Sequence, residues 1–314
     1  MNLPLVSVLI PVYNSGEYIS ESLNSVLNQT WENVEIIIVD DGSIDNSYTV
    51  AKAFESEKVR VFKQENKGAC AARNFAFSVS NGEFIQYLDA DDLLSPDKIE
   101  KQLYLISNTP KSVASCTWGR FYDSITDFKP EVKVVNKDYE KPVEWLIDSW
   151  SGRGAAQTSV WLTPREIISA AGGWNEELSL NQDGEFFARV LLQTETIKFC
   201  PSVFVYYRSG NKNSISKINN SEGKAESLLK SFESYKKVVM QKYDSPMIRA
   251  ALAINFCNFI YMYSPAYPHL VERACLQLKN LSVNCRTSMG GPLFKVLVKL
   301  FGFFKALKLR NLLR

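Results

Sequence analysis

Short β-prone runs alternate with helical patterns over the first hundred residues, and this alternation most restricts what the chain can fold into. Val6-Ser7-Val8-Leu9-Ile10, Val34 to Val39, Val59-Arg60-Val61-Phe62 and Phe84 to Leu88 are the runs. Between them, Tyr18 to Asn28 places Tyr18, Ile19, Leu23, Val26 and Leu27 at helical spacing. Ser47 to Phe54 and Ala69 to Ser80 repeat that pattern. Strands alternating with helices predict an α/β fold with a parallel sheet.

Two of these strands end in acids. Val34-Glu35-Ile36-Ile37-Ile38-Val39 runs into Asp40-Asp41-Gly42-Ser43, and Phe84-Ile85-Gln86-Tyr87-Leu88 into Asp89-Ala90-Asp91-Asp92. Ligands of wound parallel sheets bind outside the carboxyl ends of the strands. Carboxylates there can hold a hard cation that completes its shell with water and substrate phosphates. The second cluster also fits a plain helix start, since Asp92 and Ser95-Pro96-Asp97 precede another helical pattern.

The residues resemble family 2 glycosyltransferases. Pro11-Val12-Tyr13-Asn14, Gln29-Thr30-Trp31 and Val39-Asp40-Asp41-Gly42-Ser43 carry the likeness. So do Asn66-Lys67-Gly68, Ala72-Arg73-Asn74, Gly82-Glu83-Phe84 and Leu88-Asp89-Ala90-Asp91-Asp92. Gly172-Gly173-Trp174-Asn175-Glu176 and Gln182-Asp183-Gly184-Glu185-Phe186 extend it, so that it covers residues 5 to about 210. The resemblance implies a GT-A fold, a Rossmann-like nucleotide-diphospho-sugar transferase domain, with a helical C-terminal extension. It also implies transfer of one sugar with inversion, non-processively. The expected organisation is a transferase domain over 1–217, with nucleotide-sugar binding over about 1–110 and the acceptor side and base over 111–217. Residues 218–314 form the helical region.

The resemblance assigns roles. Pro11 and Tyr13 line the base and ribose pocket. Asp41, or its neighbour Asp40, accepts a hydrogen bond from the base, for which a uracil imide is the natural donor. Lys67 and Arg73 lie near the nucleotide, although Lys67 also reads as a solvated surface residue and Arg73 as half of a structural ion pair. Asp89 contacts the ribose or the metal shell, and Asp91 ligates Mn²⁺ or Mg²⁺ on the diphosphate. Asp183 is the candidate general base for the acceptor hydroxyl. Standing before an apolar helical run, it also fits an N-cap. Relatives usually carry Glu-Asp there; Gln182 removes one charge and is expected to leave Asp183 more acidic. Relatives often place a His after a Tyr-Arg pair, whereas this chain reads Tyr206-Tyr207-Arg208-Ser209-Gly210-Asn211. Arg208 or Lys212 is then expected at the diphosphate, and the only His, His269, reads as structural or exposed.

Composition excludes several classes. The 314 residues suffice for one large domain with an appendage. A net charge of +2 argues against general nucleic-acid binding. The six cysteines lack metal spacing and read as buried small hydrophobes in a reducing cytosol. Met1-Asn2-Leu3-Pro4-Leu5 leads straight into the first strand, so no secretion signal is expected.

Between about 112 and 180, on the expected acceptor side, lie Trp118, Tyr122, Trp145, Trp150, Trp161 and Trp174. Such rings stack on sugars or fill cores. Trp150-Ser151-Gly152-Arg153-Gly154 reads as a loop able to cover an acceptor. Beyond 218, helices are expected over Ala225–Lys242, Ile248–Tyr263 and about 269–281. Leu293 to Arg314 carries six Lys or Arg and no acid among Leu, Val, Phe and Ala. It is too broken to span a bilayer but suits an interfacial helix on anionic headgroups. On a helical wheel Lys295, Lys299 and Arg310 cluster while Lys305 and Lys308 fall away. Packing of the tail on the domain is the other reading.

The expected activity is metal-assisted, inverting glycosyl transfer from a nucleotide-sugar, preferably a UDP-sugar, to a hydroxyl of a glycan or lipid-linked acceptor. The setting is surface polysaccharide synthesis at the cytoplasmic face of the cell membrane, with peripheral contact through 293–314. A nucleotidyltransferase of the same fold fits less well, because Pro11-Val12-Tyr13-Asn14-Ser15-Gly16 offers one Gly and no basic residue. A non-catalytic glycan-binding module is the third reading. A processive synthase also fits poorly, since it would need membrane-spanning helices and a Gln-x-x-Arg-Trp motif and the sequence shows neither.

Overall fold

The structure is a computed structural model describing residues 3–210, 221–285, 287 and 289–312. Lys212 and Arg314 therefore lie outside the described residues. The chain divides into two compact units. The first comprises Met1–Val143, Ala155–Glu176 and Phe186–Ser214; the second comprises Glu144–Gly154, Glu177–Glu185 and Ile215–Arg314.

The first unit is built on one sheet. Its strands are β1 (Val6–Val12), β2 (Val34–Asp41), β3 (Val59–Gln64), β4 (Phe84–Tyr87), β5 (Leu93–Leu94), β6 (Ser112–Phe121), β7 (Lys129–Pro130), β8 (Leu162–Pro164) and β9 (Thr196–Arg208). The order is β3-β2-β1-β4-β8-β6-β9-β5, with β7 on β6. β3, β2, β1 and β4 are parallel neighbours, β8 runs antiparallel to β4, and β6 pairs β9 in parallel. The parallel strands are buried on both faces: Val8, Leu9, Ile10, Ile36, Ile37 and Ile38 are all fully covered.

Helices α1 (Ile19–Leu27), α2 (Ser47–Lys52), α3 (Ala69–Val79) and α4 (Lys98–Ile106) follow the alternation expected from sequence. α1 turns Ile19, Leu23 and Val26 inward as their spacing predicts, but leaves Leu27, read as part of the same stripe, exposed. Register sets which strand ends meet: Val12 of β1 lies opposite Asp40, and Leu9 opposite Tyr87. Both acidic clusters therefore emerge at one edge of the sheet. Beneath it, the ammonium of fully buried Lys98 donates to Gln86 Oε1 and, at 2.6 Å, to Gln102 Oε1. Burial without a carboxylate pushes its pKa down to about 8.

Six further helices follow in chain order before the tail. α5 (Pro142–Trp150), α6 (Arg165–Ala171) and α7 (Gln182–Leu192) precede the second unit's α8 (Glu222–Lys242) and α9 (Pro246–Tyr263). α10 (Pro268–Leu281) completes that group. Trp145, Trp150, Trp161 and Trp174 are all buried, so packing decides these rings rather than sugar stacking; Trp150 stacks on Tyr235 at 4.8 Å. The loop after Trp150 is tied down by Arg153, whose Nη1 lies 2.8 Å from Asp148 Oδ1. His269 is exposed beside Glu222.

Two expectations fail here. Cys257 and Cys285 form a disulfide across 28 positions, with Cα atoms 5.8 Å apart. The reading of all six cysteines as unpaired small hydrophobes is wrong for this pair. The two meet only because α9 and α10 pack together, which spacing alone does not reveal. Cysteine usage therefore no longer argues for a reducing compartment. Cys70, Cys116 and Cys200 are buried thiols. The tail is also not one helix. α11 (Pro292–Phe301) and α12 (Phe303–Leu312) are separated by Gly302 at φ +79°, a conformation that ends a helix and favours glycine. The single wheel drawn through 293–314 therefore does not apply.

Candidate active site

The edge is assembled from four parallel strands and the loops that leave them. After β1, Tyr13 is about half exposed at 46 %, and the Asn14 N–H donates to Ser43 Oγ at 3.0 Å. In return the Ile44 N–H donates to Asn14 Oδ1 at 3.0 Å, joining the ends of β1 and β2. Pro11 sits on β1 opposite Val39.

Asp41 organises the turn into α3. Its Oδ1 accepts from Gln64 Nε2 at 2.7 Å and from the Lys67 N–H at 2.9 Å, and its Oδ2 accepts from the Gly68 N–H at 2.8 Å. Backbone and carboxylate approach this closely only because Gly42, at φ +74°, has no Cβ; one would meet the Asn66 nitrogen at 2.8 Å. Asp40 is fully buried: its Oδ1 accepts from the Ser43 N–H at 3.1 Å, while its Oδ2 has no hydrogen-bond partner. The two acids thus differ in kind, Asp41 being satisfied by the protein and Asp40 keeping a buried acceptor unmet. The Lys67 side chain is exposed.

At the end of β4 three carboxylates crowd together. Arg73 of α3 reaches Asp89 Oδ1 at 2.7 Å and lies over the Trp174 ring at 4.4 Å. Asp92 is fully buried; its Oδ1 accepts from the Arg208 N–H at 3.0 Å, and its Oδ2 accepts from Gln157 Nε2. Burial, then the charges of Asp91 and Asp89, hold the Asp92 carboxyl well above the usual carboxylate range. Asp91 is half-buried. Arg208 leaves β9 with its Nε on the Asp91 carbonyl at 3.0 Å and its Nη2 on Glu21 Oε2 at 2.6 Å. Its guanidinium packs over Tyr18 and Phe121 and is nearly buried. The arginine expected at the diphosphate is thus engaged by the acidic turn itself.

The donor set suits a hard divalent cation. It offers carboxylate oxygens only, and the mutual repulsion felt by Asp92 is what such a cation relieves. Among the described residues no three acids, His or Cys converge tightly enough to enclose a metal on their own. Asp91 with Asp89 would therefore leave positions for phosphate oxygens and water.

Asp183 belongs to the second unit, in the first turn of α7. Its Oδ1 accepts from the Gly184 N–H at 2.9 Å. The loop before it is stitched to α8: Ser227 Oγ accepts from the Ser179 and Leu180 N–H groups at 2.8 and 3.0 Å, and Asn181 Nδ2 donates to Ser231 Oγ at 2.7 Å. Gln157, Glu21 and Gln64 escaped the sequence reading. None lies in a recognisable pattern, and each acts through a partner distant in sequence.

The family model described as glycosyl transferase family 2 matches residues 7–162, the stretch that holds both acidic strand ends. The chain belongs to glycosyltransferase family 2. Glycosyltransferase GlyG of Streptococcus pneumoniae is 42% identical over 167 residues, 51% of this chain and 54% of that protein. Among solved structures, S. aureus TarS 1-349 in complex with UDP-GlcNAc superposes with TM-score 0.69 at 18% identity, covering 88% of this chain and 81% of that one. Mannosyltransferase PcManGT from Pyrobaculum calidifontis, in complex with GDP-Man and Mn²⁺, does so with TM-score 0.55 at 15% identity, over 99% of this chain and 88% of that one. These likenesses establish the GT-A fold of this family 2 member. The matches span 43%, 38% and 54% of the length of three curated relatives.

Proposed function

We propose that this chain transfers one sugar from a nucleotide-sugar to a hydroxyl of a glycan or lipid-linked acceptor, with inversion. The observation that carries this reading is that Asp89, Asp91 and Asp92 lie within electrostatic reach of one another at the end of β4, two strands from Asp40 and Asp41 of β2. Tyr13, Pro11 and the Asp40–Asp41 turn form the nucleoside side. The unmet acceptor of Asp40 favours a base with an N–H to offer, and a uracil imide has one. The UDP-GlcNAc complex of TarS supports a UDP-sugar, although the GDP-Man complex of PcManGT shows that the fold serves either base.

Asp91, with Asp89, would hold Mn²⁺ or Mg²⁺, which when bound neutralises charge developing on the diphosphate. Arg73 fixes Asp89, and Arg208 fixes the backbone of the turn. Asp183 takes the proton of the acceptor hydroxyl as that oxygen attacks. We assign this chemistry to residues 1–217 and read 218–314 as a helical region.

The tail supports peripheral membrane contact. Leu293, Val296, Leu300 and Phe301 of α11 are at least half exposed, and Lys295 and Lys299 accompany them. Arg310 of α12 donates to the Tyr261 and Ser264 carbonyls at 2.7 Å, anchoring that helix to the end of α9. Among the described residues no helix is long and apolar enough to cross a membrane. We propose a location at the inner membrane face, in surface polysaccharide synthesis; the exposed face of α11 supports the membrane contact, whereas the Cys257–Cys285 disulfide does not support a reducing compartment.

Calorimetric titration with UDP, GDP and dTDP, each with and without Mn²⁺, tests the reading. Binding of one nucleotide, strengthened by Mn²⁺ and weakened in Asp91→Ala, supports it. Absence of binding by all three contradicts it.

A further inference from the structure

One buried amide joins the two outer carboxylates of the acidic turn. Gln157 Nε2 lies 3.5 Å from Asp89 Oδ2 and donates to Asp92 Oδ2. Its Oε1 accepts from the Ser159 N–H at 2.6 Å, and the residue is only 8% exposed. Its acceptor end is thus fixed by backbone while its donor end faces two acids. An amide nitrogen carries two hydrogens, enough for both.

We propose that Gln157 is a positioning residue for the cation-binding turn, holding Asp89 and Asp92 around Asp91 without contributing charge. The inference rests on the reading of that turn as a metal-diphosphate site.

The choice of side chain follows from two opposing demands. Asp92 is fully buried, so each of its oxygens requires a donor. Arg208 supplies a backbone N–H to Oδ1, and Gln157 supplies the donor to Oδ2. Asp89 is similar, with Arg73 on Oδ1 and the Gln157 amide 3.5 Å from Oδ2. A Lys or Arg at position 157 would meet the same hydrogen-bonding need. It would also cancel negative charge on which a divalent cation depends. A Glu would add a further carboxylate to a group already in mutual repulsion. A neutral amide satisfies the acids and leaves their charge to the metal. Outer partners of this kind orient metal ligands and set metal affinity through them.

The test uses Gln157→Met, which keeps the length of the side chain but donates nothing, and Gln157→Glu, which keeps the shape and adds charge. Mn²⁺ affinity is measured by electron paramagnetic resonance in the presence of saturating UDP. UDP affinity is measured by calorimetry in EDTA. Gln157→Met should weaken Mn²⁺ binding about tenfold or more, while the added charge of Gln157→Glu should leave it no weaker than in Gln157→Met. Their metal-free UDP affinity should match the parent chain. Mn²⁺ affinity within twofold of the parent in Gln157→Met overturns the inference. So does a parallel loss of metal-free UDP binding, which marks a general structural role. A parent chain that binds UDP but no Mn²⁺ removes the cation reading itself, and the inference falls with it.

Discussion

Arg208 and Glu21 stand 187 positions apart in sequence, and their Nη2 and Oε2 atoms are 2.6 Å apart. The pair ties the end of β9 to α1, and the same guanidinium reaches the Asp91 carbonyl. Arg208 is nearly buried, whereas Glu21 is largely exposed at 59%, so the ion pair itself is worth little. What matters is the cation under the acidic turn, packed between Tyr18 and Phe121.

Replacing Arg208 should therefore damage the turn rather than a surface contact. Arg208→Ala should cost about 2–4 kcal/mol in urea unfolding, because it removes a buried partner from a crowded acidic site. Arg208→Lys should recover little of this, since an ammonium cannot reproduce the planar fork. Full recovery of stability in the lysine variant would contradict this role.

Asp41→Asn tests the neighbouring turn. The asparagine amide turns a donor toward backbone N–H groups of Lys67 and Gly68 that now donate to the carboxylate. A loss of about 1–3 kcal/mol is expected from such a mismatch. Chemical denaturation measures it, and an unchanged midpoint would show that the two N–H groups find other partners.

Lys98 gives a pH dependence with a definite sign. An unfolded lysine keeps its proton to about 10.5, and the folded one releases it near 8. Between these values the unfolded chain binds more protons, so this residue makes stability rise with pH. Below about 8 both states are protonated and the burial penalty stands in full. Relative to Lys98→Met, the parent chain should gain up to about 3 kcal/mol between pH 7 and 10 in urea unfolding. A difference independent of pH would contradict the burial of a charged lysine.

The first unit's parallel half was legible because its strands are buried on both faces, so β-branched runs stand out and their acidic ends mark the open edge. Helix positions α1 and α3 followed from stripes such as Ile19, Leu23 and Val26. Gln157 was not legible: it lies in Ala155-Ala156-Gln157-Thr158-Ser159, with no period, and meets Asp92 only through tertiary folding. The Cys257–Cys285 bond was hidden for the same reason. The break at Gly302 was readable in principle, but the continuous run of apolar and basic residues on either side obscured it. Arg208 was singled out for its charge; that the charge faces inward depends on Tyr18, Phe121 and Glu21, which sequence does not bring together.

For the tail, sedimentation with phosphatidylcholine vesicles containing phosphatidylserine is the direct check. Leu300→Glu and Phe301→Glu sit on the exposed face of α11, at 68% and 51% exposure, and should abolish co-sedimentation while leaving the fold intact. Loss of binding in high salt should accompany this, from Lys295 and Lys299. Undiminished binding by both glutamate variants would contradict an interfacial α11.

The central claim is metal-assisted transfer with Asp91 and Asp183 in distinct roles. Nucleoside-diphosphate release from UDP-, GDP- and dTDP-sugars, in Mn²⁺, Mg²⁺ or EDTA, tests it most directly. Release should occur from one donor, should stop in EDTA, and should fall by about a hundredfold or more in both Asp91→Ala and Asp183→Ala. Metal-independent release, or release undiminished in either variant, would contradict the assignment.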